Sequence, residues 1–172
     1  MKTGYILDIN ESSWNKIEKR ARWSINKARK YLEVKPGTLQ ELKILHWDPP
    51  HLPLKLKRNQ KVFTAYYKDI PVSSILVEKK GNKLIYSKAA SRKDYNYLNG
   101  NSFLLYYLVF AYENSEIKYI DLGGSEHKGI DLFKRQFATR RYLFESPKGG
   151  IRFLKKLWVR FKRTMIKIGL IK

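Results

Sequence analysis

The chain has 172 residues, the size of one ordinary domain, and 43% of them are hydrophobic, which is enough for a sizeable core. Lysine and arginine total 36 against 15 aspartates and glutamates, and this formal net charge of +21 predicts a polyanionic partner, with nucleic acid, an anionic membrane surface and a phosphorylated substrate all open. There is no cysteine, which excludes disulfides, thiolate metal sites and a cysteine nucleophile.

Nothing in the sequence predicts export or a membrane span. The first residues, MKTGYILDINESSWNK, lack the apolar stretch and cleavage site of a secretory signal. The longest apolar run, Phe103 to Tyr112, is about half of what a membrane span needs. The histidines at 46, 51 and 127 lack metal-ligand spacing. We therefore expect a cytoplasmic protein without a bound metal.

The first third of the chain is predicted to be a short strand followed by helices. Residues 5–9 are rich in strand formers, and Asn10 or Ser12 is suited to cap the helix that follows. Apolar residues then recur at helical spacing from Trp14 to Leu32, which predicts one continuous helix with a basic outer face. Three further elements follow: a brief strand at 33–35, a short helix at 38–46 and a proline-rich loop at 47–55.

The rest of the chain predicts an antiparallel meander and then alternating helices and strands. Tight turns are expected at Lys68-Asp69 and Gly81-Asn82, and Ser102 is suited to cap a buried helix. The predicted elements are strands at 62–67, 72–78 and 83–89, a polar loop at 91–101, a helix at 103–113, a strand at 119–122, a helix at 129–137 and a strand at 141–144. This order predicts an α+β domain over residues 1–148, with a mixed, mostly antiparallel sheet flanked by helices.

A basic amphipathic C-terminal helix is predicted at 149–172. Its apolar stripe consists of Leu154, Trp158, Phe161, Met165 and Ile168, with lysine and arginine around it. Helices of this kind lie on anionic membranes, bind nucleic acid or dock on their own domain, and all three interpretations stay open. The membrane interpretation would make the protein peripheral at the inner face of the membrane.

Three stretches, in this order, resemble Fem-type aminoacyl-tRNA-dependent peptidyltransferases. They are RWSINKARKYLEV (22–34), KLIYSKAASRKDYNYLNGNSFLLYYLVFAY (83–112) and YIDLGGSEHKGIDLFKRQFATRRY (119–142). The last is the most specific, with its strand ending in Asp-x-Gly-Gly, then Gly-Ile and Phe-Lys, with an aromatic residue three positions on. The resemblance covers about residues 5–145. It implies a GNAT-like fold, shared with acyl-CoA N-acyltransferases, and transfer of an amino acid from aminoacyl-tRNA to an amine.

The sequence departs from that family in two respects. Fem-type enzymes usually carry two GNAT-like domains, whereas this chain has one, similar to their second. The acceptor of the amino acid therefore does not carry over, because a fold does not fix a substrate. One interpretation is that a partner chain, or a second copy in a homo-oligomer, supplies the missing domain.

The donor is inferred from a turn that is poor in glycine. Acetyl-CoA enzymes of this fold usually hold the pyrophosphate on a glycine-rich turn that opens a helix. Between the strand at 83–89 and the helix at 103–113, the sequence offers only Asn99, Gly100 and Asn101 before Ser102. We predict that these three residues contact substrate. The turn favours a donor that is held in another way. The resemblance implies that this donor is aminoacyl-tRNA, with acyl-CoA as the alternative, and no cofactor is expected.

The resemblance makes Lys134 the leading catalytic candidate. It implies that the lysine of Phe-Lys lies near the reacting ester and stabilises the charged transition state, a task suited to an ammonium in a partly dry cleft. Phe133 packs beside it or presents its backbone to substrate. Asp121 is either a general base or a carboxylate that orients the loop at Gly123 and Gly124, which permit unusual backbone angles and are also candidate substrate contacts.

A second group of candidates lies on the first long helix and in the central loop. The resemblance makes Arg22, Lys27 and Arg29 candidate phosphate contacts, and a solvated helix face is the competing interpretation. Tyr95 and Tyr97 are suited to stack on a terminal base or to pack at the rim. The sequence thus predicts an N-acyltransferase, with a conventional acyl-CoA enzyme and a non-catalytic basic RNA- or membrane-binding module as rivals.

Overall fold

The computed structural model describes residues 2–10, 12–46 and 52–144. The predicted C-terminal helix at 149–172 and most of the proline-rich loop lie outside the described residues. Residues Thr3–Tyr142 form one compact unit, and the described residues Lys2, Leu143 and Phe144 belong to a second one. In the second unit the described residues are the start of the first strand and the end of the last.

Seven strands form one mixed sheet in the order β2-β3-β4-β5-β6-β1-β7. Along the chain these are β1 (Lys2–Asp8), β2 (Glu33–Gly37), β3 (Gln60–Tyr67), β4 (Ile70–Lys80), β5 (Lys83–Ser91), β6 (Tyr119–Gly123) and β7 (Arg140–Phe144). Helices flank the sheet: α1 (Ser13–Lys16), α2 (Lys19–Ala28), α3 (Leu39–Leu45), α4 (Gly100–Tyr112), α5 (Lys128–Phe137) and a 3₁₀ helix (Lys93–Leu98).

The predicted meander is confirmed, because β3, β4 and β5 pair antiparallel in sequence and β2 pairs with β3 in the same sense. Lys68 and Asp69 have φ values of 47° and 63°, which a type I′ hairpin turn requires. Gly81 has φ of 60° at the second turn. The predicted parallel pairing of β5 with β6 is also confirmed.

The single long helix predicted from Trp14 to Leu32 is wrong. The chain forms α1, breaks at Ile17 and Glu18, and resumes as α2. The amide of Glu18 donates to the carbonyl of Gln136 at the end of α5, 3.0 Å away. That hydrogen bond joins residues more than a hundred positions apart, so helical periodicity gave no sign of the break.

Two local predictions around α4 also need correction. The predicted polar loop contains the 3₁₀ helix, and α4 begins at Gly100 rather than after Ser102. Asn99 occupies the N-cap position in the left-handed region, with φ of 56°. Gly100 lies so close to β4 that a Cβ atom would overlap Ser73, which explains why glycine opens this helix. Ser102 is buried in the first turn.

Two apolar clusters cover the two faces of the sheet. One packs α2 and α4 against side chains such as Phe63, Ile75 and Leu84, and the other packs α3 against Val62 and Leu76. Neighbouring strand residues alternate between the clusters, as the pleat demands. No helix among the described residues is long and apolar enough to cross a bilayer.

Candidate active site

A cleft of about 900 Å³ opens where β5 and β6 separate. The two strands are paired over only three residues, from Lys83↔Tyr119 to Ile85↔Asp121. Beyond that point β5 continues to Ser91, whereas β6 ends at Gly123. The later residues of β5 line one wall of the cleft, and the loop after β6 together with α5 lines the other.

A β-bulge shapes the β5 wall. Leu76 is opposite Lys88 and Val77 is opposite Tyr86, so Ser87 is an extra residue on β5. Bulges of this kind re-aim side chains and occur next to active sites. Tyr86 is the first residue of β5 beyond the paired segment, and it lines the cleft with Ser87. Burial raises the pKa of Tyr86, so its hydroxyl keeps its proton and can donate a hydrogen bond at neutral pH.

Lys134 lies in the opposite wall and is buried, with 9% of its surface exposed. Its Nζ donates to the carbonyl oxygen of Gly124 at 2.9 Å. Burial lowers the pKa of Lys134, and the charges of Asp121 and Asp131 partly oppose that effect. An ammonium held in this way is short of water and has hydrogen-bonding capacity left for a substrate oxygen.

The turn after β6 forms around this ammonium. Gly123 has φ of 62°, in the left-handed region that favours glycine, and a Cβ there would lie 3.9 Å from the Lys134 Nζ. The Asp121 carboxylate supports the turn by accepting the Gly123 amide at 3.0 Å. It also accepts the Tyr142 hydroxyl at 2.9 Å and pairs with Lys83 at 3.1 Å. This geometry matches the loop-orienting interpretation of Asp121.

Two further predicted residues line the same cleft. Phe133 is partly buried, and its ring lies 5.0 Å from that of Phe137, so it packs on the core while facing the cleft. Asn101 also lines the cleft, and its Oδ1 is buried without a hydrogen-bond partner among the described residues. Of the three residues of the glycine-poor turn, Asn101 therefore borders the cleft directly, whereas Asn99 and Gly100 form the helix start.

The basic helix and the tyrosine pair lie outside the cleft. None of Arg22, Lys27, Arg29, Tyr95 and Tyr97 is among its lining residues. Lys27 instead contacts Tyr97, because its Nζ lies 5.9 Å from the centre of that ring. The structure thus separates the predicted site residues into a cleft group around Lys134 and a surface group on α2 and the 3₁₀ helix.

Comparison with known proteins shows a likeness in structure and none in sequence. The sequence matches no known protein-family model and no curated protein. The chain shares its fold with FemX. The two structures superpose with a TM-score of 0.65 at 16% identity, covering 82% of this chain and 60% of FemX.

Two other solved structures show the same likeness to the chain. A conserved protein of unknown function from Bacteroides thetaiotaomicron superposes with a TM-score of 0.60 at 13% identity over 82% of this chain. The C-terminal domain of a proposed lysylphosphatidylglycerol synthetase from Agrobacterium fabrum gives 0.58 at 12% identity over 79%. The chain spans 56% to 60% of the length of FemX and these two proteins, and at such identities the likeness shows the fold alone.

Sequence reasoning missed Tyr86, Ser87 and Arg92, all of which line the cleft. Tyr86 and Ser87 looked like ordinary members of an alternating strand, because a bulge depends on the partner strand and leaves no mark in the strand's own sequence. Arg92 lay in the predicted polar loop, where one more cation on a strongly basic chain gave no signal. The separation of β5 from β6 likewise depends on how far two distant segments pair.

Proposed function

We propose that this domain is an N-acyltransferase of GNAT-like architecture that moves an acyl group, in our assignment an aminoacyl group, from an activated ester to an amine. The observation that carries the proposal is the buried Lys134 ammonium in the wall of a cleft between two separating parallel strands. The shared fold with FemX supports a transferase of this general type.

The chemistry requires a group that stabilises developing negative charge. The amine nitrogen attacks the ester carbonyl carbon, and the carbonyl oxygen becomes an oxyanion in the tetrahedral intermediate. The C–O bond to the leaving group then breaks, and the proton lost by the amine balances the proton gained by the leaving oxygen. Lys134 is assigned to the developing charge, where a fixed donor in a water-poor site is most effective. Tyr86 is assigned as a second hydrogen-bond donor from the β5 wall.

Two residues near Lys134, Asp121 in the turn after β6 and Asn101 in the cleft wall, are assigned supporting roles. Asp121 has two oxygens engaged by Gly123, Tyr142 and Lys83, which favours a carboxylate that shapes the turn over one that accepts the proton of the amine. The buried Oδ1 of Asn101 has no hydrogen-bond partner within the described part of the chain, and such an acceptor is costly unless a ligand satisfies it. We assign it to an N–H or O–H group of the substrate.

The proposed donor is aminoacyl-tRNA. A pyrophosphate cradle needs several free backbone amides at a helix N-terminus. At the start of α4, Gly100 and Ser102 are buried, and Gly100 is pressed against Ser73. This packing favours a donor that is held elsewhere on the surface. The acceptor amine and any partner chain or second copy that binds it stay open to experiment, because the chain spans only 60% of FemX.

Mutation of Lys134 tests the proposal. Lys134→Ala is expected to lower the turnover of aminoacyl-tRNA with an amine acceptor by about 10²–10³, the usual cost of removing an oxyanion-stabilising donor. Lys134→Arg should restore only part of it, because a planar guanidinium does not replace a compact ammonium. The matched control is Lys128→Ala, an exposed lysine at the start of the same helix, which should keep full turnover. Equal turnover in the Lys134 and Lys128 variants would remove the assignment.

Calorimetry with acetyl-CoA separates the proposed donor from its rival. Weak or absent binding is expected, because Gly100 and Ser102 at the start of α4 are buried. Micromolar binding would instead establish the acyl-CoA enzyme as the better description. A protein that binds tRNA or anionic vesicles but consumes neither donor with any amine would support the non-catalytic module.

A further inference from the structure

Four aromatic rings form a row on the outside of the domain, next to the cleft. We refer to Trp23, Tyr67, Tyr95 and Tyr97 as the ring strip. Tyr97 stacks on Tyr95 with ring centres 6.4 Å apart and planes 23° from parallel. Tyr95 in turn contacts Tyr67 at 6.0 Å. The strip therefore runs from α2 across the 3₁₀ helix to the end of β3.

Cations alternate with these rings. Lys27 Nζ lies 5.5 Å from the Trp23 ring and 5.9 Å from the Tyr97 ring, so one ammonium joins the two. The Arg92 guanidinium lies 5.7 Å from the Tyr95 ring. The exposed acidic side chains nearby in sequence are Glu18, which directly precedes α2, Asp69 and Asp94. Helix α2 itself carries four cations and no acid: Lys19, Arg20, Arg22 and Lys27.

The two rings at one end of the strip are exposed, whereas Tyr67 and Tyr95 are partly buried and pack against the core. Trp23 is 61% exposed and Tyr97 is 56% exposed. A tryptophan in this position contributes little to the core, and an exposed group of large aromatic side chains marks an interaction site. Its occupant must offer flat apolar faces to the rings and negative charge to the cations between them.

We propose that the ring strip binds single-stranded nucleic acid, with bases stacked on Trp23 and Tyr97 and phosphates on Lys27 and the neighbouring cations. Stacked aromatic rings beside a basic groove are how proteins hold single strands without regard to sequence. A membrane surface is less suited to the strip. The exposed large apolar side chains of α2 and the 3₁₀ helix are all aromatic, and the exposed leucines and isoleucines lie on other segments.

Arg92 connects the strip to the cleft. Its side chain contacts Tyr95 and also lines the cavity that contains Lys134. A single strand lying on the strip would therefore have one end at the cleft mouth. The idea that the strip holds the unpaired end of the donor tRNA rests on the proposed function. The idea that the strip binds a single strand does not rest on it. The binding can be measured without any acyl transfer.

The test uses the full-length protein and a fluorescein-labelled oligouridine of about eight nucleotides, a length within the usual site size. Fluorescence anisotropy gives the affinity at several salt concentrations. The double variant Trp23→Ala/Tyr97→Ala should bind more weakly by about tenfold or more, because alanine substitution of a stacking ring costs roughly 5- to 150-fold. It keeps every charge, so the dependence of affinity on salt should not change.

Two matched variants make the result specific. Phe110→Ala removes a ring that is 68% exposed on α4, outside the strip, and should bind like the unmodified protein. Lys27→Gln should reduce the slope of log affinity against log salt concentration by the amount expected for about one phosphate contact. Circular dichroism confirms that each variant is folded.

The alternatives give distinct outcomes. Equal oligonucleotide affinity in the strip variant and in Phe110→Ala would overturn the proposal. It would equally be overturned if the strip variant lost binding to phosphatidylglycerol vesicles and retained binding to the oligonucleotide, since the strip would then be a membrane surface. If the unmodified protein bound the oligonucleotide but transferred no acyl group to any amine, the proposed function would fail and the strip assignment would stand.

Discussion

Substitution of Asp121 by asparagine separates two roles that the sequence left open. As a general base, the carboxylate would take a proton during the reaction, and an amide cannot do so. As the support of the turn, its partners are the Gly123 amide, the Tyr142 hydroxyl and the Lys83 ammonium. Asparagine keeps one acceptor oxygen, which can still receive the Gly123 amide, and loses the charge that Lys83 pairs with.

The two roles predict different magnitudes. The Asp121 side chain is only 16% exposed and that of Lys83 is 28% exposed, so their pair is shielded from solvent more than an ordinary surface pair. Loss of one charge-assisted hydrogen bond to a partly buried group costs about 1.5–3 kcal/mol. The supporting role therefore predicts this loss of stability with turnover reduced by less than about tenfold, whereas loss of a general base costs about 10²–10⁴ in rate.

Urea unfolding followed by circular dichroism gives the free energy, and steady-state transfer gives the rate. Asp94→Asn serves as the control because Asp94 is exposed. Tyr142→Phe removes one of the three partners and should account for part of the stability loss, and the double variant should show non-additive effects. A variant Asp121→Asn with wild-type stability and a rate reduced by a thousandfold would refute the supporting role.

Three other predictions concern the surroundings of the site. Gly4→Ala should destabilise the domain, because a Cβ there would overlap the Tyr142 ring; unchanged unfolding in urea would contradict this. Arg140 and Thr139 hold the pKa of Asp8 below its usual value although burial opposes this. The roughly 1 kcal/mol lost in Asp8→Asn at pH 7 should therefore begin to shrink below about pH 4 and disappear as pH falls through the lowered pKa of the folded state. Burial lowers the pKa of Lys134, so its ammonium should lose the proton at a pH below the ordinary lysine value of 10.5. Turnover should therefore decline as the pH rises toward that value, and Lys134→Arg should abolish this decline because arginine keeps its charge.

Elements with a strong local pattern could be predicted from the sequence. The meander followed from alternating residues bounded by turn pairs, and both turns have the positive φ values that tight hairpins require at Lys68, Asp69 and Gly81. The short helix predicted at 38–46 is present as α3, and the structure adds a capping box between Thr38 and Glu41, which is a local interaction. In each case the decisive interaction joins residues that are close in sequence.

What escaped prediction depends on contacts between distant segments. The break before α2 needs the Gln136 carbonyl, and the early start of α4 depends on Gly100 fitting against Ser73. The cleft has the same origin, because it exists only where β6 stops pairing with β5 after Ile85. The motif at 119–142 indicated Lys134 as a candidate, but the sequence did not show what surrounds it.

The position of Lys134 follows from three features that act together. The left-handed Gly123 turns the chain so that the Gly124 carbonyl meets the ammonium, and Asp121 fixes that turn from the sheet side. Helix α5 carries the lysine past Phe133 into the cleft wall, where burial weakens its hold on the proton. A lysine used only for solubility would gain nothing from this arrangement, since burial of a cation costs free energy that solvent exposure avoids. The cost is understandable if the ammonium must meet a negative charge that arises only during the reaction, because a dry and prearranged donor stabilises that charge best.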